Sequence, residues 1–314
     1  MNLNPMQVFV TGGAGFIGSH LVKHLLEKKN KVIIYDNLKN ATKDSVHTLQ
    51  NLGAQFVKGD VTNLALLKNS IKGSDIVIHL AAQIDVEDSI KNPQYTHNVN
   101  VTGTLNVLLT CVEKKVKNFI ASSSAAVYGD QSDLPLSENS ITMPISPYGA
   151  TKLSMEHYLQ AFSRCYDMNC ISLRLFNVYG KGQSSSYAGV ITKFLQNMKQ
   201  NKPLVIFGDG SNTRDFVSID DVVQAFDKSI AKIDGKKGKF YNVASGKYIS
   251  IKELAQMMIE ISGKKIPIVY KKEKKGDIKH SQVSVWLAKK ELGYNPQVEL
   301  KEGLQRLIKE FTYT

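Results

Sequence analysis

Residues 8–18 read Val-Phe-Val-Thr-Gly-Gly-Ala-Gly-Phe-Ile-Gly: an apolar run, a glycine-rich turn, and the opening of an amphipathic segment. Gly13, Gly15 and Gly18 satisfy the G-x-G-x-x-G spacing, and Gly12, Gly15 and Gly18 satisfy G-x-x-G-x-x-G. Glycines at these places permit a tight turn and let a pyrophosphate approach the backbone. The free N–H groups and dipole of the following helix then favour its charge. The turn therefore predicts the first βα unit of an open sheet that binds a dinucleotide. Asp36, at the end of the next strand-like run, can accept hydrogen bonds from ribose hydroxyls and would repel a 2′-phosphate. That favours NAD over NADP. Asp60, in Gly59-Asp60-Val61, ends the third run and reads either as an adenosine contact or as an ordinary turn residue.

The rest of the N-terminal half has the rhythm such a unit needs. β-Branched runs at 8–10, 31–36, 55–57, 75–80, 118–122 and 170–176 alternate with helical patterns at 17–28, 64–71, 101–112 and 147–166. This predicts a doubly wound parallel sheet with helices on both faces. Val32-Ile33-Ile34 and Ile76-Val77-Ile78 are apolar on both faces, as a covered sheet requires. Beyond residue 177 glycine- and serine-rich stretches at 180–186 and 208–212 and a lysine-rich one at 271–276 break the rhythm. The expected division is a dinucleotide-binding domain over 1–175, with the chain returning to it near 215–244, and a smaller α/β substrate-binding lobe over 176–314.

A formal charge of +12 over 314 residues would by itself suit a nucleic-acid partner. However, 36 of the 40 basic residues are lysines spread in short runs, and the four arginines are Arg164, Arg174, Arg214 and Arg306. Nucleic-acid readers concentrate charge and use arginine forks. The expectation is a solvated lysine surface that attracts anionic nucleotides, with no nucleic-acid partner. No apolar run reaches the roughly 18 residues of a membrane span, and the first residues lack the regions of a secretory signal. Cys111, Cys165 and Cys170 have neither zinc-type nor redox-type spacing, which predicts free thiols, no metal, and the cytoplasm.

A second constellation carries acid–base chemistry. In Ser146-Pro147-Tyr148-Gly149-Ala150-Thr151-Lys152, Ser146 can cap a helix and Pro147 fits its first turn. Tyr148 and Lys152 then share one face, about 5–6 Å apart at Cβ. An ammonium there is expected to lower the phenol toward the working range and make Tyr148 a general base. Taken alone, the pair reads equally as a surface helix contact. Upstream, the strand at 118–122 ends in Ser122-Ser123-Ser124, hydroxyls placed where open α/β sheets bind ligands. Turn chemistry also explains a serine run, so the joint occurrence with the glycine turn carries the reading.

The chain resembles the extended short-chain dehydrogenase/reductase superfamily and, within it, the UDP-glucose 4-epimerases. The matching segments are 11–20, Asp36-Asn37-Leu38, His79-Leu80-Ala81-Ala82-Gln83, 122–130, 147–152, Leu173-Arg174-Leu175-Phe176-Asn177, 207–221 and Gly276-Asp277. The resemblance implies a Rossmann sheet, NAD as cofactor, a UDP-sugar substrate and a homodimer built on the helices at 100–113 and 148–165. It makes Ser124, Tyr148 and Lys152 the catalytic set. It places Gly12, Gly15, Phe16, Ile17, Gly18, Asp36, Asn37, Asp60, Val61, Leu80, Ala81, Ala82, Gln83, Asn100, Ser122 and Phe176 around the cofactor, together with Tyr148 and Lys152. Asn177, Val190, Phe207, Arg214, Lys274, Asp277 and Ser281 would border the substrate along with Ser124 and Tyr148. Arg214 would be a diphosphate fork; a salt bridge to Asp215 or Asp220 is the alternative. The helix stripe Met155, Tyr158, Leu159, Phe162 suits a dimer face or core packing equally.

The implied reaction is oxidation of the sugar at C4, with Tyr148 taking the hydroxyl proton, rotation of the 4-keto sugar, and return of hydride to the other face. Dehydratases of the superfamily place an acidic pair after the serine/threonine run, and decarboxylases a Glu, where this chain has Ala125 and Ala126. Alanine can neither donate nor accept a proton, which favours an epimerase. A uronic-acid epimerase, a decarboxylase and a keto-sugar reductase remain alternatives, with a non-catalytic NAD sensor more distant. Two positions depart from the family pattern. Lys274 stands where many relatives carry an arginine clamp, and Ser281 where some carry a bulky tyrosine. A small residue there is expected to leave room for an N-acetyl group.

Overall fold

The computed structural model describes residues 5–183, 189–273 and 279–313. β1 (Gln7–Thr11) leads through the glycine turn into α1 (Phe16–Glu27), followed by β2 (Lys31–Asp36), α2 (Lys43–Asn51), β3 (Gln55–Lys58), α3 (Leu64–Ser70) and β4 (Ile76–His79). Next come α4 (Val86–Lys91), α5 (Pro93–His97), α6 (Gly103–Glu113), β5 (Asn118–Ser124), α7 (Pro147–Cys165) and β6 (Asn169–Leu175). The C-terminal half holds β7 (Asn177–Tyr179), α8 (Val190–Lys199), β8 (Leu204–Phe207), β9 (Thr213–Arg214), β10 (Phe216–Ser218) and α9 (Ile219–Ala231). It ends with β11 (Lys239–Val243), β12 (Ile249–Ser250), α10 (Ile251–Ser262), β13 (Ile268–Lys271), α11 (Trp286–Leu292) and α12 (Leu300–Tyr313). No helix among the described residues is long and apolar enough to cross a membrane.

Seven strands form one sheet in the order β11-β6-β5-β4-β1-β2-β3, and every neighbouring pair is parallel. The order reverses between β1 and β4, the point where a crevice opens at the carboxyl ends of the strands. Alternation along β1 sends side chains to two cores. Val8 and Val10 pack with Leu21 and Leu25 of α1 and Val222 and Phe226 of α9. Phe9 faces the other way, into a core with Val107 and Leu108 of α6 and Met155 and Leu159 of α7. Each such fully buried aliphatic side chain contributes about 1.5–3 kcal/mol, so the sheet is a rigid base for the loops above it. A third core, with Phe194, Leu195, Leu204, Leu254, Met258 and Leu304, holds α8, β8, α10 and α12 together.

Within the stretch 215–244, α9 and β11 come back to the sheet, whereas β10 does not. β10 pairs instead with β7 in a separate parallel ladder (Phe216 beside Asn177, Val217 beside Val178). α9 covers the sheet next to α1, and β11 alone joins it, at the edge beside β6. The pattern at 101–112 begins earlier, in a π-helical stretch over Asn98–Thr102 that runs into α6. α2, α4 and α5 carry no clear apolar period. α2 buries just Val46 and Leu49, and its start is fixed by Thr42, whose side chain accepts from Ser45 N at 3.1 Å.

Candidate active site

The carboxyl ends of β1, β2, β4 and β5 open into a cavity of about 680 Å³, walled on its far side by residues of α8, β8 and β9. That size is ordinary for a site holding organic ligands. Its N-terminal wall is the glycine turn. Gly12 has φ +68°, and a Cβ there would stand 2.7 Å from Ala81 N; a Cβ on Gly18 would stand 2.7 Å from Gly13 Cα. These glycines thus bring the turn against both its own helix and the loop after β4. α1 follows Gly15 with no side-chain cap, unlike α2, α7 and α9, whose caps are Thr42, Ser146 and Ser218, and it has no acid in its first turn. Uncapped N–H groups at the cavity wall are suited to a phosphate. The Asp36 carboxylate accepts from Ala14 N at 3.1 Å and Leu38 N at 2.8 Å, and burial pushes it up from the usual carboxylate range. It keeps lone pairs for ribose hydroxyls. Asp60 bonds Asn37 Nδ2 at 2.7 Å and Thr62, so Asp60 and Asn37 hold one another at this wall of the cavity.

Gly12, Gly15, Phe16, Ile17, Gly18, Asp36, Asn37, Asp60, Val61, Leu80, Ala81, Ala82, Gln83, Ser122, Tyr148, Lys152 and Phe176 all line this one cavity. Asn100 does not. Its Oδ1 accepts from Gln83 N at 2.7 Å, while its Nδ2 donates to Gln83 O at 2.9 Å and to Thr151 Oγ1 at 3.0 Å. It therefore pins the loop after β4 to α7 from behind. His79 extends this support: Thr11 Oγ1 is 2.8 Å from Nδ1, and Nε2 is 3.0 Å from Thr104 Oγ1, which itself donates to Asn100 O. Because Thr104 donates onward, the ring proton is assigned to Nε2. Burial, with the charge of Lys152, drives His79 down to about 3, so the ring is neutral.

The catalytic candidates meet where α7 approaches the end of β5. Ser146 Oγ accepts from Gly149 N at 3.1 Å, fixing the helix start. A Cβ on Gly149 would lie 2.6 Å from Ala126 O, so the glycine allows the turn after Ser124 and the helix bearing Tyr148 to touch. Lys152 Nζ donates to Ser122 O at 2.8 Å and sits 6.0 Å from the Tyr148 ring centre. Burial lowers Lys152 to about 8. The phenol moves opposite to the expectation: burial raises Tyr148, and its hydrogen bond with Ser124 opposes the rise without overcoming it. Desolvation of the phenolate is the larger effect, and the Lys152 ammonium, 6.0 Å from the ring centre, is turned to a backbone carbonyl.

On the opposite wall stand Asn177, Val190, Phe207 and Arg214. Asn177 is anchored through Asp215, whose carbonyl accepts from its N and Nδ2. The Asp215 carboxylate binds Ser245 N and Oγ at 2.8 Å each, and Asp220 is ion-paired with Arg306 at 3.5 Å. Arg214 Nη1 donates to Thr213 O at 2.8 Å. Ser281 is buried but does not line the cavity. The backbone of Leu136 bonds Gln282 O and Ser284 N, which fixes the segment that follows Ser281. Lys274 and Asp277 lie outside the described residues. Sequence reasoning passed over Gln183 and Lys193, which also line the cavity, and the buried pair Glu156–Arg174. A charged residue in the middle of an apolar strand, and an acid four residues after Lys152, were the available signals for that pair.

A profile of the NAD-dependent epimerase/dehydratase family matches residues 8–244. A putative UDP-glucose 4-epimerase of Methanocaldococcus jannaschii is 38% identical over 304 residues, 96% of this chain and 97% of the relative. The structure of a UDP-N-acetylglucosamine 4-epimerase from Methanobrevibacter ruminantium, in complex with UDP-N-acetylmuramic acid, superposes with a TM-score of 0.94 at 34% identity, covering 99% of each chain. That of a UDP-glucuronic acid 4-epimerase from Bacillus cereus, with UDP-glucuronic acid and NAD, does so with a TM-score of 0.90 at 32% identity, covering 98% of this chain and 99% of that one.

Proposed function

The chain belongs to the NAD-dependent epimerase/dehydratase family, and from that premise we propose that it interconverts the C4 epimers of UDP-hexoses, UDP-glucose with UDP-galactose and UDP-GlcNAc with UDP-GalNAc. The observation that carries this reading is the meeting of Ser124, Tyr148 and Lys152 with the glycine cradle, Asp36, Asn177 and Arg214 around one cavity. When bound, NAD supplies the acceptor and donor of hydride at the sugar carbon. The chain supplies the rest. Tyr148 Oη takes the C4 hydroxyl proton and later gives it back, and Ser124 shares that proton through its hydrogen bond to the phenol. Because burial raises Tyr148, its phenolate needs positive charge, which the Lys152 ammonium, 6.0 Å from the ring centre, would supply. Arg214 and Asn177 would hold the diphosphate on the opposite wall, binding the nucleotide while the sugar turns. The turn after Ser124 carries Ala125 and Ala126, neither of them on the cavity wall, so no acid stands there to drive elimination.

We further assign a homodimer that pairs α6 and α7. Leu109 on α6, together with Val86 and Ile90 on the neighbouring α4, remains exposed, whereas Met155, Leu159 and Phe162 belong to the core. Sedimentation at the mass of one 34.9 kDa chain would refute that assignment. The three free thiols suit the cytoplasm. The reaction itself is tested by proton NMR of UDP-galactose, and separately UDP-GlcNAc, incubated with the purified chain and no added cofactor. Each is expected to reach a stable mixture with its C4 epimer. Unchanged spectra for both, with NAD supplied as well, would reject the UDP-hexose assignment; conversion of UDP-galactose alone would remove the N-acetylated pair.

A further inference from the structure

Glu156 lies one helical turn beyond Lys152 on α7, and the two side chains are buried, at 2% and 4% exposure. A carboxylate in such a place is costly unless it is paired and hydrogen-bonded. Arg174, from β6, does both: its Nε donates to one carboxylate oxygen at 2.9 Å and its Nη2 to the other at 2.7 Å. The guanidinium is itself held. Nη1 donates to Tyr128 Oη at 2.8 Å and to the Glu138 carbonyl at 3.3 Å, and its carbon lies 4.1 Å and 4.8 Å from the ring centres of Phe240 and Tyr128. Tyr128 in turn donates to Asn242 on β11, whose N–H bonds the Glu138 carboxylate. A buried ion pair is a poor source of stability compared with apolar packing. So complete a clamp on one carboxylate points to a use for its charge.

That use is next to it. The charged and titratable groups around Lys152 are Tyr148 and Glu156 from its own helix, His79 from β4, and Arg174 from β6 behind Glu156. His79 is neutral, and Glu156 is the anion of the set. Burial pulls Lys152 toward the free amine, and Glu156 is the group opposing it. We propose that Glu156, clamped by Arg174, is a positioning residue of the acid–base site that keeps Lys152 in its ammonium form beside Tyr148. The proposal rests on Tyr148 and Lys152 forming the acid–base pair. Without the carboxylate, Lys152 and Arg174 would be two cations in one dry pocket. Lys152 would then surrender its proton at lower pH, leaving the phenolate without its partner charge.

The test compares the intact chain with Glu156→Gln and Glu156→Asp by competitive trace acetylation across pH, followed by peptide mass spectrometry. The method reads the free-amine fraction of each lysine without any turnover. The pH of half-reaction of Lys152 is expected to fall by about one unit or more in Glu156→Gln and to stay near the parent value in Glu156→Asp, with surface lysines unmoved. In parallel, the alkaline limb of kcat moves down by the same shift while KM for the sugar nucleotide holds; a purely structural role would scale the profile without moving it. Should Glu156→Gln fail to fold, Glu156→Gln with Arg174→Gln replaces it. A smaller fall in the same direction is then expected, because the Arg174 charge that would oppose the ammonium has gone together with the carboxylate one turn from Lys152. Equal half-reaction pH in the parent and in the folded carboxamide variant overturns the proposal. Absence of UDP-hexose turnover in the parent would instead overturn the functional reading and leave the acetylation result legible.

Discussion

Tyr148→Phe is expected to lower kcat by about 10²- to 10⁴-fold, the usual worth of a positioned general acid–base group. The substitution removes one oxygen and keeps the ring. The contacts that set the helix start survive, since Ser89 Oγ accepts from the backbone N of residue 148 and Ser146 Oγ from Gly149 N. Thermal stability and NAD affinity should therefore stay near the parent values. Ser124 loses its partner but keeps its bond from Ala126 N at 3.2 Å. Steady-state rates across pH with melting curves on the same preparations check this. A variant within a few-fold of the parent would remove Tyr148 from the chemistry.

The second large effect is at the glycine turn that walls the cavity. In Gly18→Ala the new Cβ would run into the Gly12 carbonyl oxygen and stand 2.7 Å from Gly13 Cα. Both obstacles are backbone, so the turn must open. Overpacking of this kind costs about 1–3 kcal/mol, and the displaced turn no longer presents its N–H groups at the start of α1. NAD affinity is expected to fall by about 100-fold or more, equivalent to some 2.7 kcal/mol. Gly15→Ala makes an informative companion. Its Cβ would meet the Gly12 oxygen at 3.3 Å, a contact the fold can absorb, yet it projects where a phosphate would approach. Calorimetric titration with NAD and thermal melts should show weakened binding in both variants and a marked stability loss only in Gly18→Ala. Parent-like NAD binding in both would mean that the turn does not cradle the cofactor.

The parts of this molecule legible in its sequence are those fixed by local chemistry. The glycine spacing is set by backbone clearance within one turn, and Tyr148 and Lys152 by a single helical turn, so both could be read without knowing their neighbours. β2 and β4 of the central sheet were legible because they are apolar on both faces. β11 was not placed on its own, because an edge strand beside β6 is chosen by tertiary packing some 64 residues downstream of Leu175. The clamp on Glu156 joins a helix, two strands and a loop, and no short window contains it. The direction of the Tyr148 shift was misjudged for a different reason. Sequence shows which charge is near but not how much water has been lost, and here desolvation is the larger effect.

The proposed reaction requires that the sugar be oxidised and re-reduced at C4 without leaving the cavity. UDP-glucose deuterated at C4, incubated with the purified chain and no added cofactor, tests it directly by NMR. UDP-galactose carrying deuterium at C4 is expected, with no solvent hydrogen appearing there as the mixture equilibrates. UDP-galactose bearing a solvent-derived hydrogen at C4, or an unchanged substrate in the presence of bound NAD, would contradict it.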